Sequence, residues 1–128
     1  MFGKPEVLTL ASALAGHAAA RQMIVARNVA NADTPGYRAS DLPDFSKAYR
    51  ENGAAGLRHT RVGHLHADPS PPFSVAERSG KGHVSPNGNS VSLETEMVKA
   101  AETRRDHDMA LAVYGKSISI LRASLGRV

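Results

Sequence analysis

The sequence predicts a mainly α-helical chain whose N- and C-terminal helices pack as an antiparallel, coiled-coil-like pair, with an irregular or small β segment between them. Three observations predict this fold class. Apolar residues recur at helical spacing near each of the two ends, and every proline except Pro5 lies between residues 35 and 86. We therefore divide the 128 residues into an N-terminal helix (1–31), a turn motif with an extended, loop-rich middle segment (32–91), and a C-terminal helix (92–128).

The C-terminal helix carries the longest apolar pattern in the chain. Its residues recur at alternating steps of four and three, which is typical of a coiled-coil seam. Proline is absent, Ser92 suits the N-cap position, and at about 1.5 Å per residue the helix is expected to be about 50 Å long. The seam positions are Leu93, Met97, Ala100, Arg104, His107, Leu111, Tyr114, Ile118, Leu121 and Leu125.

Two polar residues, Arg104 and His107, interrupt the middle of this seam. One interpretation is register control, because polar residues at seam positions fix how two helices align. The other is that the seam turns away at this point and both side chains face water.

The N-terminal helix is predicted from about Pro5 to Ala30, with proline at its first position. Its alanine-rich run from Ala11 to Ala20 has two interpretations. It is either a strong helix former or a surface that packs tightly against several neighbouring helices. The apolar pattern follows steps of three and four through Val7, Ala11, Leu14, Ala18, Gln22, Val25 and Val29.

This helix is expected to stop near Asn31, where a turn follows at once. In the sequence from Thr34 to Tyr37, Pro35 presets the first turn position and Gly36 supplies positive φ at the second, so a type II turn is predicted. Neighbouring asparagine and threonine side chains can bond the free backbone groups at the helix end.

The residues around this turn closely resemble the signature N-[IV]-A-N-x-x-T-P-G-[YF] of bacterial flagellar rod, hook and hook-associated proteins. The continuation 37–41 and the tail 89–97 look most like a proximal rod protein, with a FlgC-type rod subunit as the alternative. The resemblance covers about the first forty and last forty residues. Its motif residues are Asn28, Val29, Ala30, Asn31, Thr34, Pro35, Gly36 and Tyr37.

The resemblance implies a structural subunit of the flagellar basal body, with terminal helices packed in the inner tube of the rod. The implied partners are other copies of the chain, FlgC and other rod proteins, the FliE adaptor at the membrane ring, and the type III export apparatus in transit. The implied location is the rod in the periplasmic space, reached without a cleaved signal peptide. A non-polymerising coiled-coil adaptor is the other hypothesis.

An antiparallel pair alone leaves much of each helix exposed, so we expect the apolar seams to be buried mainly against copies and relatives. The residues predicted to form this assembly seam are Val7, Leu14, Val25, Val29, Leu93, Met97, Leu111, Tyr114, Ile118, Leu121 and Leu125.

The middle segment gives weak structural signals. Asp41 is expected to cap a short helix over 44–49, and 57–62 and 73–75 are candidate short strands. A segment with so few apolar anchors is either a small exposed hairpin module or is ordered only by its neighbours. The second interpretation is favoured.

Composition excludes several classes of function. Without cysteine there is no disulfide, thiolate nucleophile or cysteine-based zinc site. The net charge of +4 comes from dispersed basic residues, which does not favour nucleic-acid binding. No apolar run is long enough to span a membrane, and residues 1–16 lack the pattern of a secretory signal.

Two side-chain groups were considered as chemical sites and rejected. His64 and His66 share one side of a possible strand, but their spacing matches no usual metal site. Glu94, Glu96 and Glu102 lie off the seam of a helix that encloses no cleft. With no nucleotide-binding or nucleophile motif either, we expect no catalytic residue, metal or cofactor, and no enzyme activity.

Overall fold

The computed structural model describes residues 6–54, 76–77 and 84–126. In chain order these form α1 (Glu6–Ala30), β1 (Ser40–Asp41), α2 (Phe45–Ala54), β2 (Ala76–Glu77) and α3 (Leu93–Ser124). The predicted fold class is confirmed, because the chain is mainly helical and its two long terminal helices pack against each other. Across the described ranges, no helix combines the length and the apolar character needed to cross a bilayer.

α1 and α3 run antiparallel and contact each other through residues that repeat every seven positions. The orientation follows from two contacts: Asn28 near the end of α1 bonds Glu96 near the start of α3, and Ala11 lines the same cavity as Ala110. Mostly small side chains allow the two backbones to approach closely. The buried residues of this stripe are Ala11, Ala18, Val25, Glu96, Thr103 and Ala110.

The stripe of α3 that faces α1 lies one residue away from the apolar seam that the sequence indicates. Met97 and Leu111 are 65% and 51% exposed, whereas their neighbours Glu96 and Ala110 are 0% and 1% exposed. One residue corresponds to about 100° around a helix. The seam of α3 therefore runs beside the internal contact and stays largely open.

On α1, the predicted seam divides between the inside and the outside of the chain. Val25 is only 2% exposed and belongs to the contact with α3, so its place in an assembly surface is corrected. Val7 and Val29 are exposed, and Leu14 is half-buried.

The connector between α1 and α2 packs on another side of α1. The buried His17 ring places Nε2 2.9 Å from the carbonyl oxygen of Pro43 and meets the ring of Phe45 edge-on, with centroids 5.6 Å apart. Leu42 and Ala48 are buried there as well. α2 is thereby held near the middle of α1.

The predicted capping role of Asp41 is wrong. α2 begins at Phe45, and its first turn forms on Asp44, whose carbonyl accepts hydrogen bonds from the N–H groups of Lys47 and Ala48 at 3.0 Å each. Asp41 lies in β1 and makes ion pairs with the long helices.

The described part of the middle segment includes one antiparallel ladder, in which Ser40 pairs with Glu77 and Asp41 with Ala76. The candidate strands 57–62 and 73–75, together with His64 and His66, lie outside the described residues.

α3 begins where the sequence predicts. Ser92 is its N-cap with extended backbone, and its carbonyl accepts the N–H of Glu96 at 3.0 Å. The Ser92 side chain makes no capping hydrogen bond, so the residue caps α3 only through its backbone carbonyl.

Candidate assembly site

The turn after α1 has the geometry that its sequence predicts. Gly36 has φ +71°, and the N–H of Tyr37 donates to the carbonyl of Thr34 at 3.3 Å. A positive φ at this position is the requirement that favours glycine in a type II turn. The Gly36 N–H donates to the carbonyl of Asn87 at 3.0 Å, so the turn is fixed to the segment that leads into α3.

Asn28 connects three parts of the chain from a fully buried position. Its Nδ2 donates to the Ser40 carbonyl at 2.8 Å and to Glu96 Oε2 at 3.0 Å. Its Oδ1 accepts from the Tyr37 hydroxyl and the Ser40 N–H, each at 3.2 Å. One side chain therefore joins the end of α1, the turn, β1 and the start of α3.

Asn89 makes a similar connection from the segment that leads into α3. Its Nδ2 lies 2.7–2.9 Å from the carbonyl oxygens of Asn31, Ala32 and Thr34, and its Oδ1 accepts the N–H of Val91 at 2.8 Å. Asn89 is 1% exposed, so the loose carbonyls at the end of α1 are satisfied inside the protein. We call Asn28, Asn89 and Glu96 the polar clasp.

Sequence reasoning placed Glu96 off the seam and did not recognise the clasp. Asn28 and Glu96 are 68 positions apart in the sequence, and no local rule pairs them. One signal was present: Glu96, Thr103 and Ala110 recur every seven residues, which marks a second stripe on the same helix.

A three-residue ion cluster lies beside the clasp. Arg21 on α1 donates from Nε and Nη2 to Asp41 at 3.0 and 3.3 Å, and Lys99 on α3 donates to the same carboxylate. Burial raises the pKa of Asp41, but the hydrogen bonds and charges of Arg21 and Lys99 outweigh it and lower this pKa to about 2. The hydrogen bond to Asp41 in turn raises the pKa of Arg21.

A groove between α1 and α3 opens on the side of α1 that carries Ala19, two residues and thus about 200° from His17. Two cavities in it have volumes of about 560 and 170 Å³. Small side chains of α1 form one wall, and polar and apolar side chains of α3 form the other. The lining residues are Ala18, Ala19, Gln22, Met23, Ala26, Thr103, Arg104, His107 and Asp108 in the larger cavity, and Ala11, Ser12, Ala15, Ala110, Leu111 and Tyr114 in the smaller.

The predicted assembly residues of α3 lie along this groove and beyond it. Most are exposed in the single chain, and Ile118 is half-buried. The exposed fractions are 51% for Leu93, 65% for Met97, 51% for Leu111, 39% for Tyr114, 38% for Leu121 and 83% for Leu125.

Comparison with known proteins identifies the family. Residues 8–38 match the model of the family described as flagella basal body rod protein. The flagellar basal body rod protein FlgB of Salmonella typhimurium strain LT2 is 34% identical over 110 residues, and the match covers 78% of this chain and 78% of that protein. This chain belongs to the flagellar basal body rod protein family.

Other relatives of this rod protein carry the same name. FlgB of Agrobacterium fabrum strain C58 is 32% identical over 108 residues, covering 81% of each chain. FlgB of Escherichia coli K12 is 29% identical over 109 residues, covering 78% of each. The family match spans most of α1 and ends just after the turn, so it includes Asn28 and Gly36 but none of α3.

The clasp of this rod protein brings together the two stretches of sequence on which the resemblance rests. Residues 28–37 and 89–97 are far apart in the chain but contact each other through Asn28, Asn89 and Glu96. Within residues 6–54, 76–77 and 84–126, no group of three or more histidine or acidic side chains is placed to hold a metal ion.

Proposed function

We propose that this chain is a structural subunit of the proximal rod of the bacterial flagellar basal body and assembles through its terminal helices as part of the drive shaft. The observation that carries the proposal, beside membership of the family, is the exposed apolar seam of α3. Met97, Leu111 and Leu125 are each more than half exposed on a folded helix pair. A row of exposed apolar side chains on a folded helix pair is typical of a surface that binds another protein.

The internal packing of the chain explains why the seam stays available. α1 and α3 contact each other through alanines, Val25, a threonine and the clasp, so the bulky apolar residues of the α3 seam are not needed to hold the pair together. Burying a fully exposed leucine contributes about 1.5–3 kcal/mol, so covering the half-exposed Leu111 contributes about half of that. A surface of one subunit that meets a different surface of the next generates an open helical assembly rather than a closed dimer.

The α1 wall of the groove supplies a second, different surface. Small residues such as Ala15 and Ala19 form this wall, opposite the seam of α3. An added helix can approach closely where side chains are short. The alanine wall of α1 on one copy and the seam of α3 on the next are the two unlike surfaces that an open assembly requires.

The finer parts of the proposal concern partners and location. The neighbours in the rod are other copies of the chain, FlgC and other rod proteins, and the FliE adaptor at the membrane ring. The chain passes through the flagellar type III export apparatus and works in the periplasmic space as a non-enzymatic part. In this proposal the chain divides into three parts, which are an N-terminal helix (1–31), a middle segment (32–91) and a C-terminal helix (92–128).

A charge placed on the seam tests the proposal. Ile118→Asp is expected to abolish rod assembly and motility while leaving secretion and helix content unchanged, because the change affects a surface used only after export. The control is Ser119→Asp, which adds the same charge about 100° further round the helix. Secretion is measured by immunoblotting of the culture medium, and assembly by imaging isolated basal bodies. Normal rods in the Ile118→Asp strain would refute assembly through the seam.

A further inference from the structure

The repeating contact between α1 and α3 does not by itself define how far one helix is slid along the other. Ala11 faces Ala110, and one heptad along the pair Ala18 faces Thr103. If α3 moved by seven residues, Ala18 would face Ala110 instead, and a small residue would still meet a small residue. Apolar packing of this kind discriminates weakly between registers.

The covalent connection does not define the register either. The chain between α1 and α3 runs from Asn31 to Ser92. The entropy of closing a connection of that length changes only slowly with the number of residues it contains. The length of the connection alone therefore permits a shift of seven residues, although the backbone hydrogen bond from Gly36 to Asn87 would have to break.

We propose that the polar clasp sets the register of α3 on α1. Asn28 and Glu96 are both 0% exposed and bond each other directly. A shift of seven residues in one direction moves the Glu96 carboxylate from Asn28 to Arg21, which already pairs with Asp41, so two carboxylates compete for one guanidinium. A shift in the other direction puts Thr103 at Asn28, so a neutral hydroxyl replaces the carboxylate acceptor. A charge-assisted hydrogen bond is lost in either case, so the observed register is favoured.

Asn89 favours the same register from the segment that leads into α3. It lies four residues before α3 and bonds three carbonyls at the end of α1, so the start of α3 is placed beside the turn. The clasp thus determines which residues of α3 face α1 and, as a consequence, where along the pair the seam is presented.

The clasp takes the role of setting the register that one interpretation of the sequence gives to the polar seam residues Arg104 and His107. Arg104 is exposed. The Nδ1 atom of His107 lies 3.9 Å from Oδ1 of Asp108, which is on the same helix. Within the described ranges, neither forms a hydrogen bond or ion pair with α1. Of the two interpretations that the sequence allows for them, the structure supports the one in which both side chains face water.

The ion cluster also links the two helices, through Asp41, but it is a weaker candidate. The side chains of Arg21 and Lys99 are 18% and 16% exposed, so water and salt reach this cluster. The clasp, by contrast, is sealed from solvent.

Disulfide trapping tests the proposal, because the natural chain has no cysteine. The pair Ala11→Cys/Ala110→Cys reports the register seen in the structure. The pairs Ala18→Cys/Ala110→Cys and Ala11→Cys/Thr103→Cys report shifts of one heptad in opposite directions. Each pair is oxidised at low protein concentration, and the intramolecular disulfide is quantified by mass spectrometry after thiol blocking.

In the natural background, only the Ala11/Ala110 pair is expected to close efficiently. In the clasp variant Asn28→Leu/Asn89→Ala/Glu96→Leu, the preference for that pair over a shifted pair is expected to fall about tenfold, because the buried side-chain hydrogen bonds of the clasp are removed. The matched controls Arg104→Leu/His107→Leu and Lys99→Ala are expected to keep the natural pattern.

Three results would overturn the proposal. One is a clasp variant that still closes only the Ala11/Ala110 pair, and another is a control that shifts the pattern. The third is a clasp variant that loses its helix content by circular dichroism, which would assign the clasp to stability instead of register. The experiment uses single chains in dilute solution, so its outcome does not depend on whether the chain assembles into a rod.

Discussion

Replacement of Asp41 by asparagine isolates the energetic role of the ion cluster. The folded chain holds this carboxylate between Arg21 and Lys99, and together they lower its pKa from 3.8 to about 2. Asp41→Asn keeps the size of the side chain and removes its charge. Leu42 still has an acceptor, since its N–H bonds Oδ1 at 2.9 Å and the asparagine oxygen can take that place.

The pKa shift gives the expected magnitude. One pKa unit corresponds to about 1.4 kcal/mol, and full conversion would give about 2.5 kcal/mol. Because the side chain is 16% exposed, solvent screens part of this interaction. We expect Asp41→Asn to lower the free energy of unfolding at neutral pH by about 1–2 kcal/mol.

The sign of the pH dependence follows from the lowered pKa. The folded chain binds the proton on Asp41 less readily than the unfolded chain does, so the stabilisation is complete above the ordinary pKa of 3.8. It is lost as the pH falls through the folded pKa of about 2. The stability difference between the natural chain and Asp41→Asn is therefore expected to be constant near neutral pH and to vanish in strong acid.

Urea unfolding followed by circular dichroism, repeated across this pH range, measures the difference. The matched control is Asp33→Asn, because Asp33 is exposed and its replacement is expected to change stability very little. A stability difference that persists unchanged in strong acid, or an equal loss in the Asp33→Asn control, would refute the role assigned to the cluster.

Two glycine substitutions test the backbone argument at the turn and in the helix. Gly36→Val is expected to destabilise the chain by about 1–3 kcal/mol, because a β-branched residue is strained at φ +71° even though no atom lies within 4 Å of the added Cβ. Gly16→Ala, at an equally open site in the middle of α1, is expected to stabilise it by about 0.5–1 kcal/mol. Both are measured by the same urea unfolding, and equal effects of the two substitutions would contradict the requirement for positive φ at Gly36.

The features that local chemistry determines could be predicted from the sequence. Uninterrupted helical spacing gave both long helices, with α3 beginning directly after Ser92 as expected. The turn followed from Pro35 and Gly36, whose conformational preferences do not depend on the rest of the fold. The pairing of the two long helices could also be predicted, but not the face of α3 that makes the contact.

The internal face of α3 could not be predicted in the same way. A search for bulky apolar spacing finds Met97 and Leu111, but the stripe that contacts α1 consists of small and polar residues such as Glu96 and Ala110. Hydrophobicity ranks Glu96 as a surface residue, and only its distant partner Asn28 makes its burial favourable. The sequence predicts a helix cap at Asp41 for a similar reason, since its partners Arg21 and Lys99 lie on two other elements.

The central claim is that neighbouring subunits cover the exposed seam of α3. The most direct measurement is thiol labelling of Leu111→Cys, the single cysteine in the chain, first in dilute solution and then in isolated basal bodies of a motile strain. Our account predicts rapid labelling of the free chain, where Leu111 is 51% exposed, and strong protection in the rod. Equally rapid labelling in both states would contradict it.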